Sequence, residues 1–231
     1  MSSLRMMLAA SAVMFAAGAA NAASVTFNSS PATTPLADTD FNVFVNVPKF
    51  DTTLGTLTAI SLTLNGKVVA DIGVENGDPN NGVTINYNSS AILNLGTPAS
   101  PNLVALSPSQ GGSFAAQKYD NTLDFAGPSG FTVNGLTATG TATGLVAAGE
   151  FGTFSSVGGV GSVALPFKAN GSSAANGSGN LTVSIQTQAA GGAVVTYTYD
   201  VAPPVGVPEP ASMALIGAGL FGLGLARRRK G

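Results

Sequence analysis

Ile60-Ser61-Leu62-Thr63-Leu64-Asn65-Gly66-Lys67-Val68-Val69-Ala70-Asp71 is the stretch on which the fold turns. Ile60, Leu62 and Leu64 alternate with Ser61 and Thr63, the period of a strand with one apolar face. Asn65-Gly66 follows, and then a second strand-forming run. An Asn-Gly pair between two such runs predicts a type I′ hairpin, because both central residues of that turn need positive φ.

The same alternation recurs on both sides of this stretch. Phe41, Val43, Val45 and Val47 face one way and Asn42 and Asn46 the other, until Pro48 ends the run. Val83, Ile85 and Tyr87 alternate with Thr84 and Asn86. Near the C-terminal end Leu181, Val183 and Ile185 alternate with Thr182, Ser184 and Gln186. Ala189 to Gly192 then predict a four-residue turn, with Val194 to Val201 returning as the partner strand. On that strand Val195, Tyr197 and Tyr199 share one face, and Thr196 and Thr198 the other. One-sided alternation implies antiparallel sheets with a wet face, so the expectation is an all-β antiparallel β-sandwich over residues 23–201. Residues 137–161, rich in Gly and Thr, fit short strands or loop equally well. Residues 170–180 hold no core-forming side chain and predict a flexible surface loop.

The two ends of the chain read as export segments. Arg5 precedes an apolar stretch from Met6 to Ala20, and Ala20-Asn21-Ala22 places small residues where a signal peptidase inspects its substrate. Residues 1–22 are therefore expected to be a signal peptide, with Ala23 as the new N-terminus. At the other end stand Val207-Pro208-Glu209-Pro210, an uncharged apolar segment from Ala211 to Ala226, and Arg227-Arg228-Arg229-Lys230. As a helix, residues 211–226 would be about 24 Å long, short against a bilayer core of about 30 Å. Snorkelling of the basic side chains makes up part of the difference. Four cations directly after the segment predict a cytoplasmic C-terminus. Pro203 and Pro204 make residues 202–206 a semi-rigid stalk.

Between residues 23 and 206, four lysines stand against ten acids, a net charge of −6. That balance argues against nucleic acid as a partner. Cysteine is absent, so an exported domain of this size must rely on core burial and sheet hydrogen bonds. Histidine is also absent, which removes Ser-His and Cys-His catalysis and the commonest metal ligand.

What remains is thin. Asp38/Asp40 and Asp120/Asp124 are close in sequence, yet a glycosidase pair also needs a cleft. Each reads as a solvated loop carboxylate. Lys49, Lys67, Lys118 and Lys168 read as residues that keep edges and loops soluble. The oxygen-rich loop Glu75 to Gly82 suits calcium chemically but departs from EF-hand spacing, so a turn is the expectation. Tyr87, Tyr119, Tyr197 and Tyr199 are the candidates for a sugar-stacking platform, with cross-strand packing as the competing reading. No residue is singled out as catalytic or as a metal or cofactor ligand, and no enzyme activity is expected.

Two resemblances bear on function. Val207-Pro208-Glu209-Pro210, the Gly-rich apolar segment and Arg227 to Lys230 resemble a PEP-CTERM sorting domain, which would occupy residues 207–231. That resemblance implies a bacterial exported protein whose tail is recognised and removed by an exosortase-type membrane protease, in an exopolysaccharide-making cell. Val47-Pro48-Lys49-Phe50-Asp51-Thr52-Thr53-Leu54-Gly55-Thr56-Leu57, running into Ile60 to Gly66, resembles the opening block of the choice-of-anchor E family. Gly159 to Val163 and Val195 to Tyr199 are similar to its later parts. It implies an exported β domain carried as cargo and brings no catalytic residue.

The expectation is thus a cell-surface or extracellular-matrix protein, transiently anchored in the inner membrane, with a structural or adhesive role alongside exopolysaccharide or biofilm. The alternatives are a carbohydrate- or calcium-binding module and, third, a polysaccharide-modifying enzyme.

Overall fold

The computed structural model describes residues 22–201, and these are nearly all β. Of the expected signal peptide (1–22) only Ala22 is described, as the first residue of β1, and the expected stalk at 202–206 and tail at 207–231 fall outside the described residues. Among the described residues no helix is long and apolar enough to cross a membrane. The strands, in chain order, are β1 (Ala22–Asn28), β2 (Ala37–Asp38), β3 (Phe41–Pro48), β4 (Phe50–Asp51), β5 (Gly55–Asn76), β6 (Val83–Leu95) and β7 (Val104–Leu106). They continue as β8 (Ser109–Ala116), β9 (Gly130–Leu145), β10 (Ser155–Ser156), β11 (Ser162–Gly171), β12 (Ala174–Asn176) and β13 (Leu181–Val201).

One sheet runs β1-β13-β5-β9, with β2 added on β13. The other runs β12-β6-β11-β3, with β7 and β8 also paired to β6. Their pairings are antiparallel. β4 and β10 form a separate two-residue parallel pair. The alternation expected for Phe41 to Val47 holds at Val45 and Val47, fully buried against exposed Asn42, Phe44 and Asn46, while Val43, expected on the same inward face, is exposed.

The hairpin at Asn65-Gly66 does not form. β5 is one continuous strand of 22 residues, paired along its length with β13. The reason lies in parity. A two-residue turn at 65–66 would set Lys67 opposite Leu64 and Asp71 opposite Ile60, turning both charges onto the core face. In the continuous strand Ile60, Leu62, Leu64, Gly66, Val68, Ala70, Ile72 and Val74 all point inward and are buried, while Lys67 and Asp71 are exposed.

The turn at Ala189 to Gly192 fails for the same reason. β13 runs straight through it, with Ala189, Gly191, Ala193, Val195 and Tyr197 buried on one face. Each expected turn was thus the middle of a long strand, and the two middles pair with each other. Gly191 faces Gly66, and Gly66 faces Gly140 on β9, so three glycines form a line across the sheet.

Along that line side chains of the second sheet come close to the backbone. A Cβ on Gly66 would strike Leu93 and lie 2.9 Å from Leu106; one on Gly140 would also lie 2.9 Å from Leu106. A Cβ on Gly191 would lie 2.5 Å from the tip of the Phe167 ring. The glycines therefore admit large side chains into the main core, which includes Leu62, Leu64, Leu93, Leu95, Leu165, Phe167 and Tyr197. A smaller cluster of Ala70, Ile72, Val74, Val83, Ile85 and Ala116 fills the other end.

The outer edge of β13 is closed by several short segments. β1 pairs with residues 194–200, and β2 with Gln188 and Ala189. Between them Ser29 and Thr34 act as surrogates for a strand. Ser29 N–H donates to Ala193 O (2.7 Å) and Thr34 N–H to Gly191 O (2.8 Å). Their hydroxyls accept the Ala193 and Gly191 amides at 3.0 Å.

One undecided segment is resolved and one expected loop is corrected. Residues 137–145 belong to β9, and the chain beyond forms two short 3-10 turns around β10. Within 170–180, expected to be loop throughout, Asn170 and Gly171 end β11 against Ile92 and Ala91, and Ala174–Asn176 pairs with Asn86 to Asn88 as β12.

Candidate functional site

Of the processing residues singled out above, Ala22 and Ala23 are described. They open β1, with Ala22 opposite Asp200 and Ala23 opposite Tyr199. The expected new N-terminus therefore lies beside the last residues of β13, the strand that leads into the stalk. Ala20, Val207, Pro208, Glu209, Pro210, Arg227, Arg228, Arg229 and Lys230 lie outside the described residues.

The carboxylates serve loops. Asp38 Oδ1 accepts from Gln186 Nε2 (3.1 Å) and Gln188 Nε2 (3.0 Å), and Asp40 Oδ1 accepts the Gly171 amide (3.0 Å). Asp120 and Asp124 each accept a backbone N–H two residues on, from Thr122 and Ala126. Asp51 Oδ1 binds the Thr53 amide and hydroxyl and reaches the Gly158 amide at 2.9 Å. Those bonds, the Thr53 amide first, hold its pKa below the usual carboxylate value.

The loop after β5 is a turn, as expected. Asp78 Oδ1 accepts the amides of Asn80 (2.8 Å) and Asn81 (3.1 Å), which lowers its pKa. The Asn76 side chain donates to the carbonyls of Asn81 and Gln117. Among the described residues no three acidic side chains converge as a metal-binding group.

Glu75 departs from expectation. It is fully buried at the end of β5 rather than solvated in the loop. Its Oε2 accepts the Phe125 amide at 2.9 Å, and its Oε1 has no partner among the described residues. Phe125 sits at φ 55, a left-handed conformation uncommon for a bulky residue. Thr132 Oγ1 donates to its carbonyl, and its ring lies where a Cβ on Gly73 would be 3.1 Å away. Glu75 thus fastens the 117–130 loop to the sheet.

Three of the four tyrosines are taken up in packing, and Tyr119 is half-buried in the loop after β8, where its amide donates to Asp78 O at 2.8 Å. Tyr197 is fully buried, and its hydroxyl donates to Pro48 O at 2.7 Å. Burial pushes its pKa well above that of free tyrosine. Tyr199 packs on Phe50 (5.0 Å between centroids) and Tyr87 on Phe131 (5.0 Å). Packing accounts for all three.

A polar depression of about 330 Å³, which no local sequence pattern marks, lies on the outer face of the long sheet. Asn65, Lys67, Thr139 and Thr141 line it, with Gly66 and Gly140 as its floor and Thr33 at its rim. The glycine line that admits the core on one side leaves a hollow on the other. The alternating threonines of residues 137–143 are visible in the sequence, but only the register places them beside Lys67.

With this geometry in view, the comparisons bear on the end of the chain. Residues 206–230 match the PEP-CTERM protein-sorting motif. A chain carrying that motif is an exported surface protein, transiently held in the membrane and processed by an exosortase-type membrane enzyme. No curated protein sequence matches the chain. Two solved structures, of infectious bursal disease virus strains Gx and Gt, are similar at 9% and 13% identity with TM-scores of 0.17 and 0.14. They cover 79% and 88% of this chain, which spans 37% and 46% of theirs, and at such scores the likeness says nothing of function. The choice-of-anchor E resemblance has no support from these comparisons and rests on the residues quoted for it.

Proposed function

We propose that the protein is a structural or adhesive component of the bacterial surface or extracellular matrix, associated with exopolysaccharide or biofilm, and that it acts without catalysis. The observation that carries this reading is the sorting motif at 206–230 behind an all-β domain. In this scheme signal peptidase exposes Ala23, and the basic cluster keeps the C-terminus cytoplasmic. The exosortase then acts at Pro208-Glu209-Pro210 and frees a cargo domain of the choice-of-anchor E type. The hydrogen bonds of Asp38, Asp40, Asp51 and Asp78 to turns and side chains fit a structural use of the acids.

The test is the intact mass of the protein from surface and medium, in cells with and without the exosortase. A mass that begins at Ala23 and ends near Pro208, seen only with the enzyme, is expected. A mass retaining Arg227 to Gly231 in the membrane fraction of both strains would reduce the tail to a plain anchor.

The hollow around Lys67 favours a second reading, carbohydrate binding. Hydroxyls, an amide and one cation suit an acidic sugar better than the tyrosines do. Retention on the producer's polysaccharide that is lost on Lys67→Ala would support it, and unchanged retention would dismiss it.

A further inference from the structure

Residues 137–143 read Thr-Ala-Thr-Gly-Thr-Ala-Thr, a palindrome centred on Gly140, and they lie on β9, the edge strand of the long sheet. We propose that β9 pairs antiparallel with β9 of a second copy about a two-fold axis at Gly140, making the surface form a symmetric dimer.

The backbone is arranged for it. Val146 N–H donates to Ile60 O at 3.0 Å, and the register then pairs Gly144 with Leu62, Ala142 with Leu64, Gly140 with Gly66 and Ala138 with Val68. In an antiparallel ladder these even residues turn both backbone groups toward β5. Thr137, Thr139, Thr141 and Thr143 therefore turn theirs to the open edge. An axis at Gly140 sets Thr139 opposite Thr141 and Thr137 opposite Thr143, which are the pairs whose free groups meet. Four such pairs exchange about eight hydrogen bonds. Gly140 meets itself in the close, non-bonded position, and Ala138 meets Ala142 on the core side.

The side chains agree. All four threonines are exposed on the outer face, and cross-strand Thr-Thr pairs are favourable. Thr143 already makes one within the chain, with Thr63 at 2.8 Å. An isologous interface must be complementary to itself, and this palindrome is.

Charge does not oppose this pairing at the seam itself. The domain carries −6, so two copies repel, yet Gly130–Leu145 contains no charged residue and no proline. Natural edges are usually blunted by charges, prolines or bulges; β9 bulges at Asn134-Gly135, but Thr137 to Leu145 carries none of these. The competing edges fit less well. On β3, Asn46 is already bonded in both directions to Ser30, and neither β1 nor β8, the other free edges of that length, reads the same in both directions as an isologous pairing favours. Pairing at β9 would bring the two Lys67 hollows side by side across the axis.

The test uses the exported chain as recovered from producing cells, by sedimentation velocity. A dimer mass is expected, and Thr139→Lys/Thr141→Lys should halve it by setting like charges opposite each other. Ser184→Lys, on the exposed face of β13 and two strands in from the edge, should leave the dimer intact and so controls for added charge. The chain lacks cysteine, so Thr139→Cys and Thr141→Cys supply single thiols. A short thiol cross-linker should join the two variants when mixed far better than either alone. A monomer at all concentrations, a dimer indifferent to the double lysine change, or cross-linking without that pairing preference would each overturn the proposal. The assay is blind to how the chain reaches the surface, so failure here leaves the sorting proposal untouched.

Discussion

Replacing Gly191 with alanine tests the account of how the two sheets meet. The added methyl would lie 2.5 Å from Phe167 Cζ and 3.0 and 3.1 Å from the two Cε atoms. Phe167 is 1% exposed and edge-on to Phe41 at 5.6 Å. Its strand is held between β3 and β6, so the ring has little room to retreat. Over-packing of this kind costs about 1–3 kcal/mol. Alanine in place of glycine within a strand returns about 0.5–1 kcal/mol. The net expectation is a loss of about 1–2 kcal/mol, or about 2–8 °C in melting temperature for a domain of this size. Urea unfolding of the exported chain measures it. Gly149→Ala and Gly152→Ala, where nothing lies within 4 Å of the new atom, should change stability by less than about 0.5 kcal/mol. Phe167→Leu removes the ring atoms that are struck, so combining it with Gly191→Ala should cost less than the two changes summed, by about 1 kcal/mol or more. A Gly191→Ala variant as stable as its parent, or strict additivity in the cycle, would refute the claim that the glycine line exists to admit Phe167.

Two further outcomes follow from buried polar groups. Tyr197→Phe should cost about 1 kcal/mol by leaving Pro48 O unbonded. Because the folded pKa of Tyr197 is raised, its unfolded form loses the proton first, so its contribution is complete below about pH 10 and falls as pH rises further. Alkaline unfolding curves should show that component in the parent and lack it in the variant. Glu75→Ala should strip the Phe125 amide of its acceptor, cost about 1–3 kcal/mol and speed hydrogen exchange at Phe125. Unchanged exchange at that amide would mean that the loop is fastened by other contacts.

Strand residues and their inward faces were legible because alternation is local. Val45, Val47, Val83, Ile85 and Tyr197 are buried where the two-residue period puts them. Turn positions were less legible. Asn65-Gly66 and Ala189 to Gly192 carry turn chemistry, yet each lies mid-strand because glycine also serves where another layer must come close. Parity held the clue, since Leu64, Gly66 and Val68 keep one face only if the chain runs straight. Of the candidate sites, the turn role of Asp78 was readable from its loop. The hollow beside Lys67 was not, because its lining comes from residues 33, 65–67, 139–141 and 190.

By itself, the sequence determined destination and class. The motif at 206–230 is a contiguous string read by a membrane enzyme, and the two-residue period commits the domain to sheets. Tertiary structure alone decided the register that lines up Gly140, Gly66 and Gly191 and leaves the threonines of β9 on an open edge. Register depends on which strands meet, and that follows from the packing of Leu93, Leu106 and Phe167 against positions far away in the chain.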